Sequence, residues 1–510
     1  MLAKVLSFGL LGIETYPIEI EVDVSQGLPA VTLVGLADTA IRESKERVKS
    51  AIKNSGFTWP AERITVSLAP SDIKKEGACL DLAIALGVLS ATDQLNSERL
   101  DEYYILGELS LDGSLRPIRG ALPISMSTAK SKSKNIILPY QNAKEAALVL
   151  ETCVWPVKTL KETVEFINNP DTIPQFMANS ETTLQNKEYS RLDFSEVKGQ
   201  YLAKRAIEVA VSGGHNILMI GPPGGGKTML AKRIPSIMPE LSLEEMLEIT
   251  KIHSVAGTLP VREGILNTRP FRNPHHGISN VALTGGGPIP EPGEISLAHH
   301  GVLFLDELPE FHRDCLESLR QPMEDRQIRI SRIINSPLFP ASFMLVAAMN
   351  PCPCGYFTDR RRACRCSPNK IASYIGKISG PLLDRIDIHI ELPSIRYKEL
   401  TEIKEGEPSK VIRQRVEKSR IRQRERFKLE GILYNAQMSP RLIKKYCILE
   451  DEAKELLKLA MTELGLSARA YDKILKVSRT IADLAESEAI QAGHISEAVQ
   501  YRNLDRDFFL

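Results

Sequence analysis

Gly221-Pro-Pro-Gly-Gly-Gly-Lys-Thr228 is the stretch that decides the fold of this chain, and it follows directly on the apolar run 216–220. Its spacing, G-x-x-x-x-G-K-[ST], is that of a loop that wraps a phosphate group with its backbone N–H groups. Glycines are needed because side chains would hold those N–H groups away from the anion. The sequence therefore predicts a strand, a phosphate loop and a helix whose positive end faces the phosphate.

The same stretch predicts which residues contact a nucleotide. Lys227 would reach the β- and γ-phosphates, and Thr228 would hold Mg²⁺. The other expected contacts come from the loop and the first helical turn: Gly221, Pro222, Pro223, Gly224, Gly225, Gly226 and Met229.

A second stretch, Gly301-Val-Leu-Phe-Leu-Asp306-Glu307, would complete this site. Its continuous apolar run is typical of a strand buried on both faces of a parallel sheet. Asp306 would bind Mg²⁺ through its hydration shell, and Glu307 would polarise the attacking water. Taken alone, the stretch also fits an ordinary strand whose acids cap the next helix. Together, the two stretches predict a protein that binds and hydrolyses ATP.

The composition predicts a soluble globular protein of two to four domains. The chain has 510 residues, of which 43% are hydrophobic and 25% charged. Its net charge of +1 gives no overall field that would attract nucleic acid, so any basic surface must be local. No stretch is apolar enough to span a membrane, and the first residues lack the features of a signal peptide, so we expect a cytoplasmic protein.

Residues 1–170 are predicted to form an α+β domain, followed by a polar linker over 171–191. Expected strands and helices alternate over 18–22, 30–34, 38–54, 63–68 and 81–91. The segments 70–81, 107–113 and 117–120 resemble the Lon-protease fold of the ribosomal-S5-domain-2 type. That family pairs a serine nucleophile with a lysine base. Here Cys79 and Leu122 occupy those positions, which favours a buried cysteine and a role in assembly or partner binding over a reactive thiol.

Residues 192–395 follow the order of elements that is typical of an AAA+ ATPase core. The segment 193–200 precedes an amphipathic helix over 201–211. This position packs on adenine in AAA+ proteins, so the resemblance makes Val197, Lys198 and Gly199 candidate base contacts.

Three longer segments, 269–276, 285–299 and 301–307, resemble the magnesium-chelatase-like AAA+ group and, within it, the ComM (YifB) family. The resemblance covers nearly the whole chain and implies a Lon-like N-terminal domain, an AAA+ P-loop core and a C-terminal helical lid over 396–510. It also implies a homohexameric helicase that promotes branch migration during natural transformation. The implied partners are single-stranded and branched DNA and other recombination proteins. One departure is Gly277, where the family pattern leads us to expect threonine.

The resemblance assigns three further residues to the γ-phosphate. Asn350 ends the apolar run 343–350 and matches sensor 1. Arg385 lies in the segment that carries the arginine finger, which acts on the neighbouring subunit's nucleotide and so requires a ring. A surface ion pair with Asp384 or Asp387 is the alternative. Arg469 matches sensor 2, just after Ser467, the expected N-cap of a helix, and a further helix is expected over 474–489.

Several arginine-rich segments are candidates for contact with DNA. Arg326, Arg329 and Arg332 are expected to project from a hairpin that grips phosphates, or else from a solvated hairpin face. The glycine-rich insert 285–293 is a second candidate. The basic run 410–426 fits either a solvated lid helix or part of a nucleic-acid path.

Four cysteines form two C-x-C pairs, Cys352 with Cys354 and Cys364 with Cys366. Their spacing favours a structural Zn²⁺ site over free thiols or a redox pair, and Arg360–Arg362 in the same loop could touch DNA. The pairs His275-His276 and His299-His300 are expected in β-type segments, where adjacent rings face opposite ways. That geometry favours structural or inter-subunit roles over metal binding.

Three functions are compatible with these features. The first is the ATP-driven ring motor on branched DNA that the resemblance implies. The second is a chelatase-type chaperone that remodels a protein partner without DNA. The third is an ATP-dependent protease, which Leu122 disfavours because it replaces the catalytic lysine.

Overall fold

The computed structural model describes residues 1–36, 38–75, 77–177, 192–260, 264–287, 290–330, 336–357, 359, 362–393 and 406–502. These residues form an N-terminal part (1–177), a central part (192–393) and a set of C-terminal helices (406–502). Most of the expected linker, 178–191, lies outside them. Among the described helices, none combines the length and the apolar character needed to cross a bilayer.

The N-terminal part is built on a mixed seven-stranded sheet with the order β3-β4-β2-β1-β5-β8-β9. The first two strands pair as an antiparallel hairpin, and every second residue of the latter half of β2 is buried, as expected for a strand with one face on the core. The strands are β1 Leu2–Leu11, β2 Glu14–Ser25, β3 Ala30–Val34, β4 Arg63–Ala69, β5 Tyr103–Ile105, β6 Glu108–Leu109, β7 Leu115–Arg116, β8 Asn135–Pro139 and β9 Cys153–Val157. The helices are α1 Thr39–Asn54, α2 Asp81–Ala91, α3 Ala121–Thr128, α4 Ala143–Ala146 and α5 Leu160–Asn168.

The two positions that depart from the Lon pattern do not form a catalytic pair. Burial raises the pKa of the Cys79 thiol to about 12. Leu122 is fully buried in α3, and its backbone N–H donates to Glu145 Oε1 at 2.8 Å. Cys79 is partly buried, and a thiol that holds its proton, with leucine at the position of the base, is not activated as a nucleophile.

The central part is a five-stranded parallel sheet with the order β11-β14-β17-β10-β18 and with both faces covered. The second and third strands in the spatial order of the sheet, β14 and β17, are buried at every residue, which is why their sequences are continuous apolar runs. The strands are β10 Ile217–Ile220, β11 Phe271–Arg272, β12 Gly285–Gly286, β13 Glu291–Pro292, β14 Val302–Leu305, β15 Gln327–Arg329, β16 Leu338–Pro340, β17 Met344–Met349 and β18 Ile388–Glu391. The helices are α6 Tyr201–Gly213, α7 Lys227–Ile237, α8 Leu243–Val255, α9 Asn280–Thr284, α10 Glu294–Leu297, α11 Arg313–Ser318, α12 Arg320–Asp325, α13 Pro368–Ile375 and α14 Gly380–Leu383.

The C-terminal helices pack on the sheet face that also carries α6 and α7. They are α15 Ser409–Arg426, α16 Pro440–Tyr446, α17 Asp451–Glu463, α18 Ala468–Leu484 and α19 Ala492–Gln500. The helix expected over 474–489 was placed wrongly. It begins earlier, where the Ser467 side chain accepts from the Ala470 N–H, and it ends before Glu486, whose φ of 58° is left-handed. The predicted N-cap at Ser467 is confirmed.

Several arginines of the basic helix α15 are paired inside the protein. Arg415 contacts Glu208 at 2.5 Å, Arg426 donates to Asp483 Oδ2 at 2.8 Å, and Arg422 lies 3.2 Å from Glu486. Those partners lie on α6, on α18 and just beyond α18. These pairs favour a lid helix over a path for nucleic acid, but they also show that the helix is not solvated on every side, in contrast to the solvated helix that the sequence suggested.

The N-terminal part rests on the central part through a small apolar cluster. Ile13, in the turn between β1 and β2, packs with Phe339 of β16 and with Ile252 and Val255 of α8. An ion pair between Arg119 and Glu291 at 2.6 Å adds a second contact, which reaches the insert 285–293. Both candidate DNA-gripping hairpins therefore contact the N-terminal part.

Candidate active site

The phosphate loop follows β10 and leads into α7, as the sequence predicts. Gly224 and Gly226 have φ angles of +79° and +82°, a left-handed conformation in which side chains are strained. At Gly221, an added Cβ would lie 2.5 Å from the carbonyl oxygen of Leu392. Glycine is therefore required in this loop both by the backbone conformation and by close packing against the chain that follows β18.

Lys227 is held within the loop by three acceptors. Its Nζ donates to the carbonyl oxygens of Gly221 at 2.7 Å and Pro222 at 3.0 Å, and to Asn350 Oδ1 at 3.0 Å. Burial lowers the pKa of Lys227, while the carboxylates of Asp306 and Glu307 oppose that shift. The structure thus brings the predicted phosphate-binding lysine and the predicted sensor residue into direct contact.

Thr228 and Asp306 form the part of the site that suits a divalent cation. The Thr228 hydroxyl donates to Asp306 Oδ2 at 2.7 Å. A hydroxyl and a carboxylate beside a phosphate loop are the oxygen ligands that Mg²⁺ takes in nucleotide sites. The two residues therefore fit Mg²⁺ bound together with a nucleotide.

Glu307 has the geometry expected of a residue that acts on water. Its φ is +54°, an unusual value for a residue other than glycine, and its backbone N–H donates to Asp306 Oδ1 at 3.0 Å. Its side chain is 57% exposed, and His276 Nε2 lies 3.9 Å from Glu307 Oε2. The turn points the Glu307 carboxylate away from the sheet and toward solvent. From the sequence we expected a structural or inter-subunit role for His276 and did not place it beside Glu307; it lies there because β11 is the neighbour of β14.

The residues of segment 193–200 that were expected to contact the base differ in burial and in backbone conformation. Val197 is fully buried in the core, so only its backbone could meet a base. Gly199 has a left-handed φ of +65°. Gln200, which the sequence did not single out, donates through Nε2 to the carbonyl oxygens of Gly225 at 3.3 Å and Pro393 at 3.2 Å. Gln200 therefore ties this segment to the phosphate loop.

Arg385 and Arg469 lie at the other edge of the central sheet. Lys227, Asp306 and Asn350 all follow the carboxyl ends of parallel strands, whereas Arg385 precedes β18. Its carbonyl accepts a 3.2 Å hydrogen bond from Asn216, the residue before β10. A four-residue strand separates the two edges by about 13 Å.

Both arginines are held by carboxylates at this edge. Arg385 Nη2 contacts Glu324 at 2.5 Å, and Arg469 Nη1 contacts Asp384 at 3.1 Å. The arrangement therefore directs neither arginine toward the chain's own phosphate loop.

The four cysteines form a compact cluster two residues after Asn350. The Cys352 sulfur lies 3.3 Å from that of Cys354 and 3.6 Å from that of Cys364, and all four sulfurs lie within 4.8 Å of one another. A tetrahedral zinc site with bonds of about 2.3 Å requires sulfurs about 3.8 Å apart. An added Cβ on Gly355, within this cluster, would lie 2.5 Å from Pro223 Cδ, so the cluster packs against the phosphate loop.

Models of three magnesium-chelatase families match consecutive parts of the chain. They are subunit ChlI of Mg-chelatase over residues 20–142, magnesium chelatase subunit ChlI over 193–400, and the ChlI C-terminal family over 406–502. The competence protein ComM of Haemophilus influenzae is 43% identical over 514 residues, covering 99% of this chain and 98% of its own. The chain belongs to the ComM (YifB) family of magnesium-chelatase-like AAA+ proteins.

Two further relatives show how far the resemblance extends. The uncharacterised protein YifB of Escherichia coli is 44% identical over 499 residues, covering 97% of this ComM-family chain and 96% of its own. Lon protease 2 of Bacillus subtilis is 27% identical over 170 residues, about 30% of each chain. The similarity to Lon is thus partial, whereas the similarity to the ComM family spans the whole chain.

The expectation that adjacent histidines face opposite ways is wrong for both pairs in this ComM-family protein. Both pairs lie outside the strands, and their rings are in contact, with centroids 4.1 Å apart in one pair and 4.0 Å in the other. His300 has a left-handed φ of +54°, which turns its ring to the same side as that of His299. The turn places His299 Nε2 3.1 Å and His300 Nε2 2.7 Å from Glu248 Oε2.

These three side chains fit a hydrogen-bonded cluster better than a metal site. His299 Nδ1 accepts the backbone N–H of Ser342 at 3.0 Å, so this nitrogen carries no proton. In a neutral imidazole the proton must then be on Nε2, which donates to Glu248 and has no lone pair for a metal. Together, the two imidazoles hold the pKa of Glu248 well below its usual range. The cluster ties α8 to the turn that precedes β14.

One arginine of the expected hairpin does not lie on it. Arg326 ends α12 in a left-handed conformation with φ +55°, and β15 begins only at the next residue. Its side chain lines a cavity beside Arg385 instead of facing solvent. Arg329 lies exposed on β15, while Arg332, Arg360 and Arg361 are outside the described residues. The structure therefore leaves Arg329 as the described arginine on the hairpin.

Proposed function

We propose that this chain is the subunit of an ATP-driven ring, a hexamer, that moves along single-stranded and branched DNA. The observation that carries the proposal is the separation of Lys227, Thr228, Asp306 and Glu307 from Arg385 and Arg469 on opposite edges of one sheet. An arginine at the far edge can act on ATP only if a second subunit brings its own phosphate loop to that edge. Head-to-tail contacts of this kind form a ring when the rotation from one subunit to the next closes on itself.

In the proposed site, Lys227 and the loop N–H groups bind the phosphates, and Thr228 and Asp306 hold Mg²⁺. Glu307 orients and polarises the attacking water, and Asn350 positions that water relative to the γ-phosphate. Arg385 and Arg469 of the adjacent subunit contact the γ-phosphate as negative charge develops there. On this proposal, 1–170 is a Lon-like domain used for assembly or partner binding, 192–395 is the ATPase core, and 396–510 is the lid.

The proposed DNA substrate is supported by the full-length similarity to a protein named for competence, the uptake of DNA by bacteria. On this basis we infer a role in branch migration of recombination intermediates during natural transformation. The exposed Arg329 on β15 is a candidate contact for DNA phosphates. The similarity to magnesium chelatase subunits supports a second candidate, a chaperone that remodels a protein partner without DNA.

The two candidates differ in what stimulates ATP turnover. We expect forked DNA to raise the rate of ATP hydrolysis several-fold, and a non-hydrolysable ATP analogue to shift the protein from small species to a hexamer in light scattering. Replacing Arg329 with glutamine should reduce the stimulation by forked DNA and leave the basal rate unchanged. Equal turnover with and without DNA, at every DNA structure tried, would contradict the motor and favour the chaperone.

We further propose that Cys352, Cys354, Cys364 and Cys366 hold a structural Zn²⁺. The support is geometric, because all four sulfurs lie within 4.8 Å of one another, as the ligands of a tetrahedral zinc site must. Four thiolates leave no open coordination position, so the ion would stabilise the loop and take no part in chemistry.

Replacement of Cys364 by serine should remove this metal. The wild-type protein is expected to contain about one zinc per chain, measured by plasma mass spectrometry, and the variant is expected to contain little. Loss of the ion should also lower the melting temperature, because the cluster packs on Pro223 of the phosphate loop. Cys153→Ser, which changes a half-buried cysteine outside the cluster, is the matched control. Wild-type protein that contains no zinc after growth in zinc-supplemented medium would refute the assignment.

A further inference from the structure

A cavity of about 420 Å³ lies between the central sheet and the C-terminal helices. It is found at the amino ends of the parallel strands, beside Asn216 before β10 and Gly301 before β14, and therefore at the edge opposite the phosphate loop. Arg385 and Arg469 line it, and so do residues that the proposed ATPase site does not use. We refer to it as the core–helix cavity.

The lining of the core–helix cavity contains more cations than carboxylates. Three of its cations each contact one of its carboxylates: Arg385 with Glu324, Arg469 with Asp384, and Lys473 with Asp387 at 3.2 Å. The other cations of the lining are Arg326, Arg420 and Lys476. Lys476 donates to the carbonyl of Ala436 at 3.0 Å, and its charge is offset by the carboxylates of Asp387 and of Asp472, the fourth carboxylate of the lining. The remaining two arginines give the cavity unpaired positive charge.

Arg420 is almost fully buried, with 6% of its surface exposed. Its Nη2 donates to the carbonyl of Val211 at 2.6 Å, but Nε and Nη1 are buried and have no partner among the described residues. The guanidinium lies 3.7 Å from the centre of the Tyr434 ring, which offsets part of the cost of burial. The carboxylate of Glu245 acts on Arg420 at longer range, but it is itself hydrogen-bonded to Arg269. Burial lowers the pKa of Arg420 to about 10.

Arg326 supplies the second unpaired guanidinium. In the part of the chain that the structure describes, its side chain has no hydrogen bond and no ion pair, and burial lowers its pKa. It is close enough to Lys476 for the two positive charges to repel each other. Arg326 is half-buried, and the fully buried guanidinium nitrogens of the lining that have no partner among the described residues belong to Arg420 and Arg385. Burying a guanidinium group without a counter-ion is costly, so such groups are normally paired in folded proteins.

We propose that the core–helix cavity is a binding site for a phosphate group, with Arg326 and Arg420 as the residues that bind it. Guanidinium groups match the oxygens of phosphate in both charge and geometry, and an anion here would offset the excess of positive charge in the lining. The phosphate has two conceivable sources. One is free phosphate from solution. The other is the nucleotide of a neighbouring subunit, since Arg385 and Arg469 share the cavity, and this second source rests on the proposed ring.

The first arm of the test uses inorganic phosphate and needs neither ATP hydrolysis nor DNA. The full-length Lys227→Ala protein serves as the background, because its own phosphate loop is disabled. Isothermal titration calorimetry is expected to show saturable binding of phosphate, weakened about tenfold or more by adding Arg326→Gln, since a charge-assisted hydrogen bond is worth about 1.5–3 kcal/mol. Arg424→Gln, which removes an exposed arginine from α15, is the matched control and should change nothing.

The second arm tests the neighbour's nucleotide as the source. Arg326→Gln in the otherwise wild-type protein is then expected to lower ATP turnover at least tenfold while ATP binding stays unchanged. Arg420→Lys keeps the charge but removes donors, and it should act in the same direction. Melting temperatures of all variants show whether each one is folded.

Loss of phosphate binding in the first arm supports a site for free phosphate, and loss of turnover in the second supports a site for the neighbour's nucleotide. The proposal would be overturned if the first arm showed no phosphate binding, or binding that Arg326→Gln leaves unchanged, and if folded Arg326→Gln and Arg420→Lys proteins kept wild-type turnover in the second. If the ring proposal were wrong, the first arm would still show phosphate binding that depends on Arg326. Failure of the ring proposal can therefore be told apart from failure of the phosphate-site proposal.

Discussion

Replacing Lys227 with alanine is expected to lower the affinity for ATP about 100-fold or more and to abolish turnover. The lysine Nζ would contact two phosphate groups, and each charge-assisted hydrogen bond is worth about 1.5–3 kcal/mol. In the structure the same ammonium group is held by the carbonyl oxygens of Gly221 and Pro222 and by Asn350 Oδ1, so it is already placed over the loop. Binding of a fluorescent ATP analogue and release of phosphate would measure the two effects.

The matched control for this change is Lys232→Ala. Lys232 lies on the same helix, α7, but is exposed, so its loss removes the same charge without touching the loop. Glu307→Gln should separate binding from hydrolysis, because it removes the base and leaves the phosphate contacts in place. ATP binding by Lys227→Ala with the wild-type affinity would show that the nucleotide lies elsewhere.

Arg385→Ala is expected to leave ATP binding unchanged and to reduce turnover about 10³-fold or more, the range seen for arginines that act in trans on phosphoryl transfer. Within one chain, Arg385 contacts Glu324 at 2.5 Å and the carbonyl of Pro381 at 2.6 Å, and it has no route to its own Lys227. Arg385→Lys should recover only part of the activity, since lysine keeps the charge but not the planar fork. Arg441→Ala, an exposed arginine of α16, is the control.

A reduced ATP affinity in Arg385→Ala, with unchanged turnover at saturation, would argue against this role. It would point to a structural ion pair, which the structure forms with Glu324 and not with Asp384 or Asp387 as the sequence suggested. Measuring the melting temperature beside the kinetics would detect a loss of stability, because removing Arg385 leaves Glu324 without its partner.

Sequence patterns predicted the parts of the site that depend on local chain geometry. The glycines of 221–226 are imposed by a loop that needs positive φ angles, and Asp306 and Asn350 end strands that are buried on both faces. Such constraints act over a few residues, so they impose a fixed spacing of residue types that can be recognised in the sequence. The four cysteines were predictable for the same reason, because two short pairs can close one cluster.

Features that depend on distant contacts were not predictable. Arg326 looked like part of an arginine hairpin, but a left-handed residue at the end of α12 turns it into the core–helix cavity. The ring of His300 turns toward that of His299 for the same physical reason, a positive φ in a residue other than glycine. The contact of His276 with Glu307 arises from the order of strands in the sheet, which no local pattern contains. The position of Arg469 beside Asp384 likewise depends on how the C-terminal helices pack.

The central claim is that each ATP site is completed by the arginine of an adjacent subunit, and a mixing experiment tests it most directly. Lys227→Ala and Arg385→Ala proteins are each expected to be inactive, but each keeps the half of the site that the other lacks. When equal amounts are mixed before assembly, about one quarter of the interfaces in a closed ring join an intact phosphate loop to an intact Arg385. We predict that ATP turnover of the mixture rises well above that of either variant alone. Turnover no greater than the average of the two separate proteins would contradict the account.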